Sequence, residues 1–334
     1  MKKSTQWFRH FIAQSCRFSF LFLLSFPVLS VALYAQNSKP VFTVIPLGVK
    51  GGGDESNLSS YLVAPAGDSN FICLDAGTVR AGIQYAIKKG IFKATPDYVL
   101  QNSIRAYFIS HPHLDHLAGL VINSPDDNSK PIYGLSFCLS TLADKYFSWK
   151  SWANFTDRGE SPQLKKYTLQ EMTIGDFYKI DKTSMQVAAF PLSHSTPQES
   201  TAFLVKHDDG YLLYLGDTGA DSIEKSTRLS DLWKTVGPLV ASKQLKAVFI
   251  EVSFSNDQKT EQLFGHLTPD LLMKELTRLA DFSGGNAFLK HLPVVITHQK
   301  PGGDRERKIK AELHRANTSG VRLIFPEQAS PIQL

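Results

Sequence analysis

A chain of 334 residues is long enough for one large domain or two small ones. With 43% hydrophobic and 20% charged residues, it has the composition of an ordinary globular protein that can bury a sizeable core. The formal net charge is +5, but four basic and no acidic residues precede residue 36, so the remainder carries +1. This near-neutral remainder gives no reason to expect nucleic acid or an anionic membrane as a partner.

Residues 1–35 are predicted to be a secretory signal peptide. Basic residues lead into the apolar stretch FSFLFLLSFPVLSVAL, and small residues follow around Ala32 and Ala35, either of which could precede the cleavage point. The alternative is an uncleaved anchor, but Ser and Pro27 interrupt the stretch, which is shorter than the ~20 residues that a spanning helix needs. We therefore expect a periplasmic or secreted protein without a membrane span after cleavage. Two cysteines then remain, Cys73 and Cys138, both in apolar surroundings typical of buried free thiols.

The chain then alternates between β-like apolar runs and helical patterns. Up to residue 152 the predicted elements are the strands VFTVIPLGV, SSYLVAPA and NFICLDAG, a helix over 79–89, the strand RAYFISH, the helix LAGLVINS, the strand PIYGLSF and the helix STLADKYFSWKSW. Residues 153–168 are polar, carry Pro and Gly, and are predicted to form a surface excursion.

The second half repeats the pattern. It begins with the strands MTIGDFYKI and MQVAAFPLSH and the hairpin TAFLVKHDDGYLLYLGD, whose turn is predicted at Asp209–Gly210. There follow a helix over 222–245, the strand KAVFIEVSF, a helix capped by Thr268 with Pro269 in its first turn, the strand LPVVITH, the helix RERKIKAELHRA and the strand VRLIFP. This order predicts one domain over 36–334, with two packed sheets and helices on their outer faces.

The most informative residues lie in FISHPHLDHLAGL, at a predicted strand-to-helix junction. Positions 111–116 contain three of the ten histidines of the chain and one carboxylate. These residues are His111, His113, Asp115 and His116. Just past a strand, residues i and i+2 point the same way, so the first two histidines can bind one cation together. The following turn lets the other two residues face a second cation, and imidazole and carboxylate suit zinc, manganese or iron.

Three further candidate ligands share one arrangement, in which an apolar β run ends on a metal-capable side chain. They are His194 after VAAFPLS, Asp217 after YLLYLG and His298 after PVVIT. Ligands at strand ends meet at one rim of a sheet, where rigid elements hold them. A single histidine after a strand is usually a loop residue, so these three depend on the first cluster for support.

Together these residues resemble the metal pattern of the metallo-β-lactamase superfamily. The extended run HPHLDHLAGLVINSP is similar to the motif of the class II cyclic-nucleotide phosphodiesterases, and GGGDESNLSSYLV, LDAGT, IEVSF and GHLTP also fit that branch. The resemblance covers residues 41–325. It implies an α/β fold, an αββα sandwich of two mixed sheets flanked by helices.

The same resemblance implies a ligand assignment for two divalent metal ions, with zinc favoured. The first metal would be held by His111, His113 and His194, the second by Asp115, His116 and His298, with Asp217 bridging. It also implies the reaction: a 3′,5′-cyclic nucleotide (cAMP, with cGMP left open) is hydrolysed to the 5′-monophosphate by metal-activated hydroxide. The candidate catalytic residues are Asp115, as a metal ligand, and His266 in FGHLTPD, as a contact to the leaving O3′.

Other assignments keep their alternatives. His266 could instead be a capping or surface histidine, and Asp75 in ICLDAGT could support a ligand or only form buried hydrogen bonds. Substrate contacts are predicted at Gly53, Glu55 and Asn57, against a merely flexible turn. The competing functions are a lactam, thioester or RNA 3′-end hydrolase of the same superfamily, and a binder of metal or cyclic nucleotide without turnover. The sequence leaves a homodimer open.

Overall fold

Two mixed seven-stranded sheets form the centre of the structure, a computed structural model that describes residues 39–334. The predicted signal peptide lies outside the described residues. In spatial order the first sheet contains β14 (Ile332–Gln333), β1 (Phe42–Gly48), β2 (Ser60–Pro65), β3 (Phe71–Leu74), β4 (Ile104–Phe108), β5 (Lys130–Gly134) and β6 (Tyr167–Glu171). The second contains β13 (Arg322–Ile324), β12 (Pro293–Thr297), β11 (Leu245–Glu251), β10 (Gly210–Leu215), β9 (Glu199–His207), β8 (Gln186–Ser193) and β7 (Tyr178–Lys179).

The two sheets have the same internal design. In the first sheet β14, β1, β2 and β3 pair antiparallel, and β3 to β6 pair parallel. In the second sheet β7 to β10 pair antiparallel, and β10 to β13 pair parallel. Parallel strands need crossover connections, which is where helices enter the fold.

Helices cover the outer face of each sheet. They are α1 (Arg80–Lys88), α2 (Pro96–Tyr98), α3 (Leu114–Asn123), α4 (Ser136–Thr141), α5 (Asp221–Glu224), α6 (Arg228–Ala241), α7 (Pro269–Ser283), α8 (Asn286–Leu289) and α9 (Arg305–Ala316). Helices α1, α3 and α4 share one apolar cluster with the first sheet, and α6, α7 and α9 share another with the second. Among residues 39–334, no helix combines the length and apolar character needed to cross a membrane.

A third apolar cluster lies between the sheets and explains why their central strands are apolar on both faces. In β11, Ala247 and Phe249 face this inner cluster, while Val248 and Ile250 face the helices. Because side chains alternate along a strand, a strand buried on both sides reads as a continuous apolar run. Burying each large side chain contributes about 1.5–3 kcal/mol. The layers are therefore helix, sheet, sheet, helix, and the predicted αββα sandwich is confirmed.

The hairpin between β9 and β10 turns one residue earlier than predicted. Gly210 pairs with His207, so the two turn residues are Asp208 and Asp209. Asp208 has a φ of 47°, which its short polar side chain tolerates, so the turn needs no glycine. Gly210 is required for packing instead, since a Cβ there would lie 2.6 Å from Cγ1 of Val41.

The helix predicted over 222–245 is interrupted. It ends at Lys225, whose φ is 53°, and resumes as α6. The buried carboxylate of Asp221 accepts hydrogen bonds from the backbone N–H groups of Leu229 and Ser230, at 3.1 and 2.9 Å, and so caps the first turn of α6. The predicted C-terminal residue, Leu245, belongs to β11.

Two further predictions are corrected in detail. The helix predicted as STLADKYFSWKSW begins earlier and ends earlier: α4 starts at Ser136, inside the predicted strand PIYGLSF, and continues into a π-helical turn, Leu142–Tyr146, whose C-terminal cap is Phe147. The excursion over 153–168 runs into β6 at its end, where Tyr167 is fully buried. The short elements α2, α8 and β14 were not predicted, since two to four residues carry too little periodicity.

Cys73 and Cys138, the two cysteines among residues 39–334, are free and buried. Burial raises the pKa of the Cys73 thiol to about 12. Its Sγ donates to the backbone carbonyl of Asp75 at 3.0 Å. These thiols therefore serve as small core side chains rather than as nucleophiles.

Candidate metal centre

Four candidate ligands lie between β4 and the first turn of α3: His111, His113, Asp115 and His116. The turn is tight because α3 packs directly on the backbone that follows β3. A Cβ on Gly119 would lie 2.8 Å from the carbonyl oxygen of Ala76, and a Cβ on Gly77 would lie 2.1 Å from that of Asp115. Only glycine permits this approach, which fixes where the first turn of α3 begins.

The other three candidate ligands follow strands of the second sheet. His194 comes directly after β8, Asp217 lies two residues beyond β10, and His298 comes directly after β12. All three are buried. The two packed sheets thus bring all seven predicted side chains to one shared edge.

These side chains form overlapping groups, each compact enough to hold one ion. Besides the two sets described next, His111, His116 and Asp217 form one such group, and His194 and Asp217 form another with Glu251 and His266. The potential ligand atoms of the first group lie within 4.8 Å of one another, and its members are His111, His113 and His194. The second group meets the same limit and consists of Asp115, His116 and His298. These two groups coincide with the two sets that the resemblance implied.

Asp217 lies between the two groups. Its Oδ2 is 3.9 Å from Nε2 of both His111 and His194, and 3.1 Å from Nε2 of His298. Its Oδ1 is 3.3 Å from Nε2 of His116. One carboxylate thus faces both groups, as a bridging residue must.

Most of the cluster has the ionisation that suits metal binding; the exception is His116, where burial is outweighed by the carboxylates of Asp217, Asp75 and Asp115, which raise the pKa well above its usual value. Burial lowers the pKa of His111 well below its usual value and that of His194 to about 4, so both rings are neutral. Burial also lowers the pKa of His113. Burial alone would raise the pKa values of Asp115 and Asp217. Neighbouring histidines outweigh burial and hold both pKa values below the usual range. Neutral imidazole and ionised carboxylate are the forms that bind divalent cations.

Asp75 holds the cluster in place from behind. This fully buried carboxylate accepts hydrogen bonds from His116 Nδ1 and Tyr214 OH, both at 2.7 Å. It also accepts from the backbone N–H of Ser110 at 2.7 Å and from its hydroxyl at 2.8 Å. The Ser110 hydroxyl in turn lies 2.9 Å from His111 Nδ1. Of the two alternatives, the contact to a candidate ligand is the one observed.

Sequence reasoning missed Glu251 and Ser253. Glu251 is fully buried at the end of β11, and its Oε1 is 2.7 Å from Nδ1 of His266. The Ser253 hydroxyl donates to Glu251 at 2.5 Å and lies 2.9 Å from His298 Nδ1. Glu251 carries the same sequence signal as the candidate ligands, an apolar run that ends on a metal-capable side chain, and could have been found by it.

His266 is buried within the site rather than exposed on the surface. Burial lowers its pKa, but the Glu251 carboxylate outweighs burial and the net pKa is raised. Its Nδ1 is occupied by Glu251, while Nε2 forms no hydrogen bond with any residue from 39 to 334. The histidine ring stacks on that of His298, with centroids 5.2 Å apart.

The glycine loop after β1 also reaches the centre. A Cβ on Gly51 would lie 2.1 Å from the His298 ring, and the N–H of Gly52 donates to Asp115 Oδ2 at 2.9 Å. Of the predicted substrate residues, Gly53 and Glu55 are exposed beside this loop. The Asn57 side chain accepts from the backbone of Val49 at 3.0 Å, which stabilises the turn. Substrate contacts by Gly53, Glu55 and Asn57 stay a prediction.

The donor set fits a divalent cation. Within residues 39–334, His116 Nε2 is buried and makes no hydrogen bond, although Asp217 Oδ1 is only 3.3 Å away. Because the Asp75 carboxylate accepts a hydrogen from Nδ1, Nε2 is the ring nitrogen left for a metal, and it faces the other candidate ligands. Buried polar atoms are rarely left without a partner, and imidazole nitrogen is a good ligand for zinc, manganese or iron.

Two mixed sheets with a histidine-rich shared edge define the class of fold. A solved structure described as the metallo-β-lactamase fold protein YhfI from Bacillus subtilis matches with a TM-score of 0.59 at 16% identity, covering 88% of this chain and 100% of that one. The match to unliganded yeast PDE1 is higher, with a TM-score of 0.80 at 23% identity, covering 89% and 100%. The chain therefore has the metallo-β-lactamase fold.

The sequence comparisons identify the family. Residues 41–328 match the model of the family described as cAMP phosphodiesterases class-II. A 3′,5′-cyclic-nucleotide phosphodiesterase of Aliivibrio fischeri is 42% identical over 323 residues, which cover 92% of this chain and 97% of the relative. The protein belongs to the class-II cAMP phosphodiesterase family, and the resemblance seen in HPHLDHLAGLVINSP is confirmed.

Proposed function

We propose that this protein is a metal-dependent phosphodiesterase that hydrolyses 3′,5′-cyclic nucleotides to nucleoside 5′-monophosphates. The observation that carries the proposal is the arrangement of two complete ligand groups around the single carboxylate of Asp217. The membership of the class-II family supports the choice of substrate. A lactamase of the same superfamily would also be exported, so the predicted signal peptide does not separate the two functions. The match to the class-II family favours the phosphodiesterase.

We further propose that the centre holds two divalent cations, with zinc favoured. The first would be held by His111, His113 and His194, the second by Asp115, His116 and His298, with Asp217 shared. When bound, such cations supply a water of lowered pKa and neutralise charge on the phosphoryl oxygens. The residues of the chain prepare the site for them: Asp75 fixes the ring of His116, and Ser253 fixes that of His298.

His266 is the candidate for protonating the leaving O3′. In the hydrolysis an O–P bond to water forms, the P–O3′ bond breaks, and a proton must reach O3′. Glu251 holds Nδ1 and raises the pKa of His266, which leaves Nε2 for contact with substrate. A proton on Nε2 could be donated to O3′ in the transition state.

The test combines metal content with turnover. Purified mature protein should contain about two zinc ions per chain and convert cAMP to 5′-AMP, with loss of both on chelation and recovery on adding zinc. Comparison of cAMP, cGMP and bis(p-nitrophenyl) phosphate would measure selectivity. H266A should retain its metal but lose turnover. Metal-replete protein that hydrolyses a lactam or thioester but no cyclic nucleotide would refute the proposal, and metal binding without any turnover would favour the non-catalytic alternative.

Export through cleavage after Ala32 or Ala35 is also a proposal, supported by residues 1–35. Cell fractionation and N-terminal sequencing of the native protein would test it. A mature N-terminus within a few residues of these alanines in the periplasm or medium is expected. A full-length chain retained in the membrane fraction would instead support the uncleaved anchor.

A further inference from the structure

Lys300 lies at the rim of the metal centre, two residues beyond the candidate ligand His298. Its side chain is half-buried, with Nζ 6.0 Å from the centre of the Phe254 ring. Over the described range 39–334, this ammonium forms neither an ion pair nor a hydrogen bond, and the nearby Asp115 is contacted by His298 instead. Its Nζ is therefore available to contact an anion that comes from outside the chain.

The space next to Lys300 lies over Gly52. A Cβ on Gly52 would lie 3.9 Å from Lys300 Nζ and 3.8 Å from Asp115 Oδ2, and no third atom outside the adjacent residues would come within 4 Å. The N–H of Gly52 donates to that same Asp115 oxygen at 2.9 Å. An open volume is therefore bordered on one side by an ammonium and on the other by a candidate metal ligand.

The loop that carries Lys300 is held in place. Arg305 Nη1 donates to the carbonyl oxygen of Pro301 at 3.2 Å, and the Arg305 guanidinium lies 5.5 Å from the centre of the Phe254 ring. Two cations thus share one aromatic ring at this rim. Their positive potential extends over the open side of the metal centre.

We propose that Lys300 binds the anionic phosphoryl oxygen of the substrate in the space over Gly52. This inference rests on the proposed function, because it takes the ligand to be a cyclic phosphodiester. Such a ring carries one negative charge, and attack by hydroxide raises the charge on the phosphoryl group to two in the transition state. The attraction to a fixed ammonium therefore strengthens as the reaction proceeds.

The test compares K300M with K310M. Lys310 is an exposed lysine on α9 whose Nζ lies 5.2 Å from the centre of the Phe325 ring and which, among residues 39–334, has no ion pair, so the control removes the same charge from a similar setting. K300M should lower kcat/KM for cAMP on the order of 100-fold, the smaller end of the loss seen when a stabilising donor is removed. K310M should change it less than about 2-fold, since its charge is screened by solvent. K300R should recover most of the loss.

A binding measurement separates phosphate recognition from a structural effect. With zinc-loaded protein, K300M should bind 5′-AMP more weakly while its affinity for adenosine is unchanged, and its zinc content should equal that of the wild type. If K300M loses metal, K300Q replaces it in this measurement, and the same weaker binding of 5′-AMP is expected. Equal 5′-AMP affinity and turnover in K300M and K310M would overturn the role of Lys300. If the wild type neither binds nor hydrolyses cAMP, the proposed function fails instead.

Discussion

Replacing Asp75 with asparagine tests how the centre is held together. D75N keeps the volume of the side chain but removes a buried charge that accepts four hydrogen bonds. An amide nitrogen must then occupy one of the two oxygen positions. At Oδ2 it would face three donors, from Ser110, His116 and Tyr214, whereas at Oδ1 it would face the Ser110 N–H alone. The second orientation is the less unfavourable.

The D75N substitution should have two effects, one on the free energy of unfolding and one on metal affinity. A buried N–H left without an acceptor costs about 1–3 kcal/mol of the free energy of unfolding, with or without metal. The neutral amide also orients the His116 ring less firmly, and such losses lower metal affinity about 10–100-fold. That loss corresponds to about 1.4–2.7 kcal/mol and is seen only when metal is bound.

The assay is urea unfolding in chelator and in saturating zinc, together with zinc affinity measured by competition with a chromophoric chelator. D126N is the matched control, because Asp126 is exposed and its pair with Arg80 lies on the surface. The control should change the free energy of unfolding by less than about 0.5 kcal/mol. If D75N unfolds at the wild-type urea midpoint in chelator and binds zinc with wild-type affinity, Asp75 does not position the centre.

Three further predictions follow from local contacts. G51A should displace the His298 ring, which a Cβ would approach to 2.1 Å, and weaken zinc binding about 10-fold or more in the competition assay; an unchanged affinity would refute the contact. D127N should lower the free energy of unfolding by about 3–5 kcal/mol, because Lys130 is buried and its Nζ lies 2.7 Å from that carboxylate, whereas zinc affinity should stay at the wild-type value. In the folded protein at pH 8 the thiols of Cys73 and Cys138 should not react with a thiol reagent, since both are buried and burial raises the pKa of Cys73 to about 12; both should titrate only after unfolding.

The positions of the candidate ligands could be predicted from the sequence because each is marked by its local sequence. His111 to His116 lie together at one junction, and His194 and His298 each end an apolar strand. Packing was needed for the remainder. Glu251 has its partner His266 fifteen residues further along the chain, and no periodicity connects the two. The role of Gly51 depends on a ring that lies far away in sequence.

The errors in the fold have the same origin. The turn of the β9–β10 hairpin was placed at a glycine because glycine favours turns. In the structure, contact with Val41 requires Gly210, and Asp208 adopts the left-handed backbone conformation. Likewise, the break before α6 depends on Asp221, whose carboxylate accepts hydrogen bonds from backbone N–H groups in the first turn of α6. In both cases a tertiary contact decided against the local preference.

The division of the ligands between the sheets links the centre to the assembly of the fold. The first group takes His111 and His113 from the first sheet and His194 from the second; the second group also draws on both sheets, and Asp217 reaches both groups from β10. Neither of these two groups comes from one sheet alone, although His194, Asp217, Glu251 and His266, all from the second sheet and its loops, form a further compact group. Because a metal that binds only the assembled arrangement stabilises it by mass action, a metal bound by these groups would hold one sheet to the other along their shared edge. The motif HPHLDH alone is therefore insufficient, and the site exists only once the sandwich has closed.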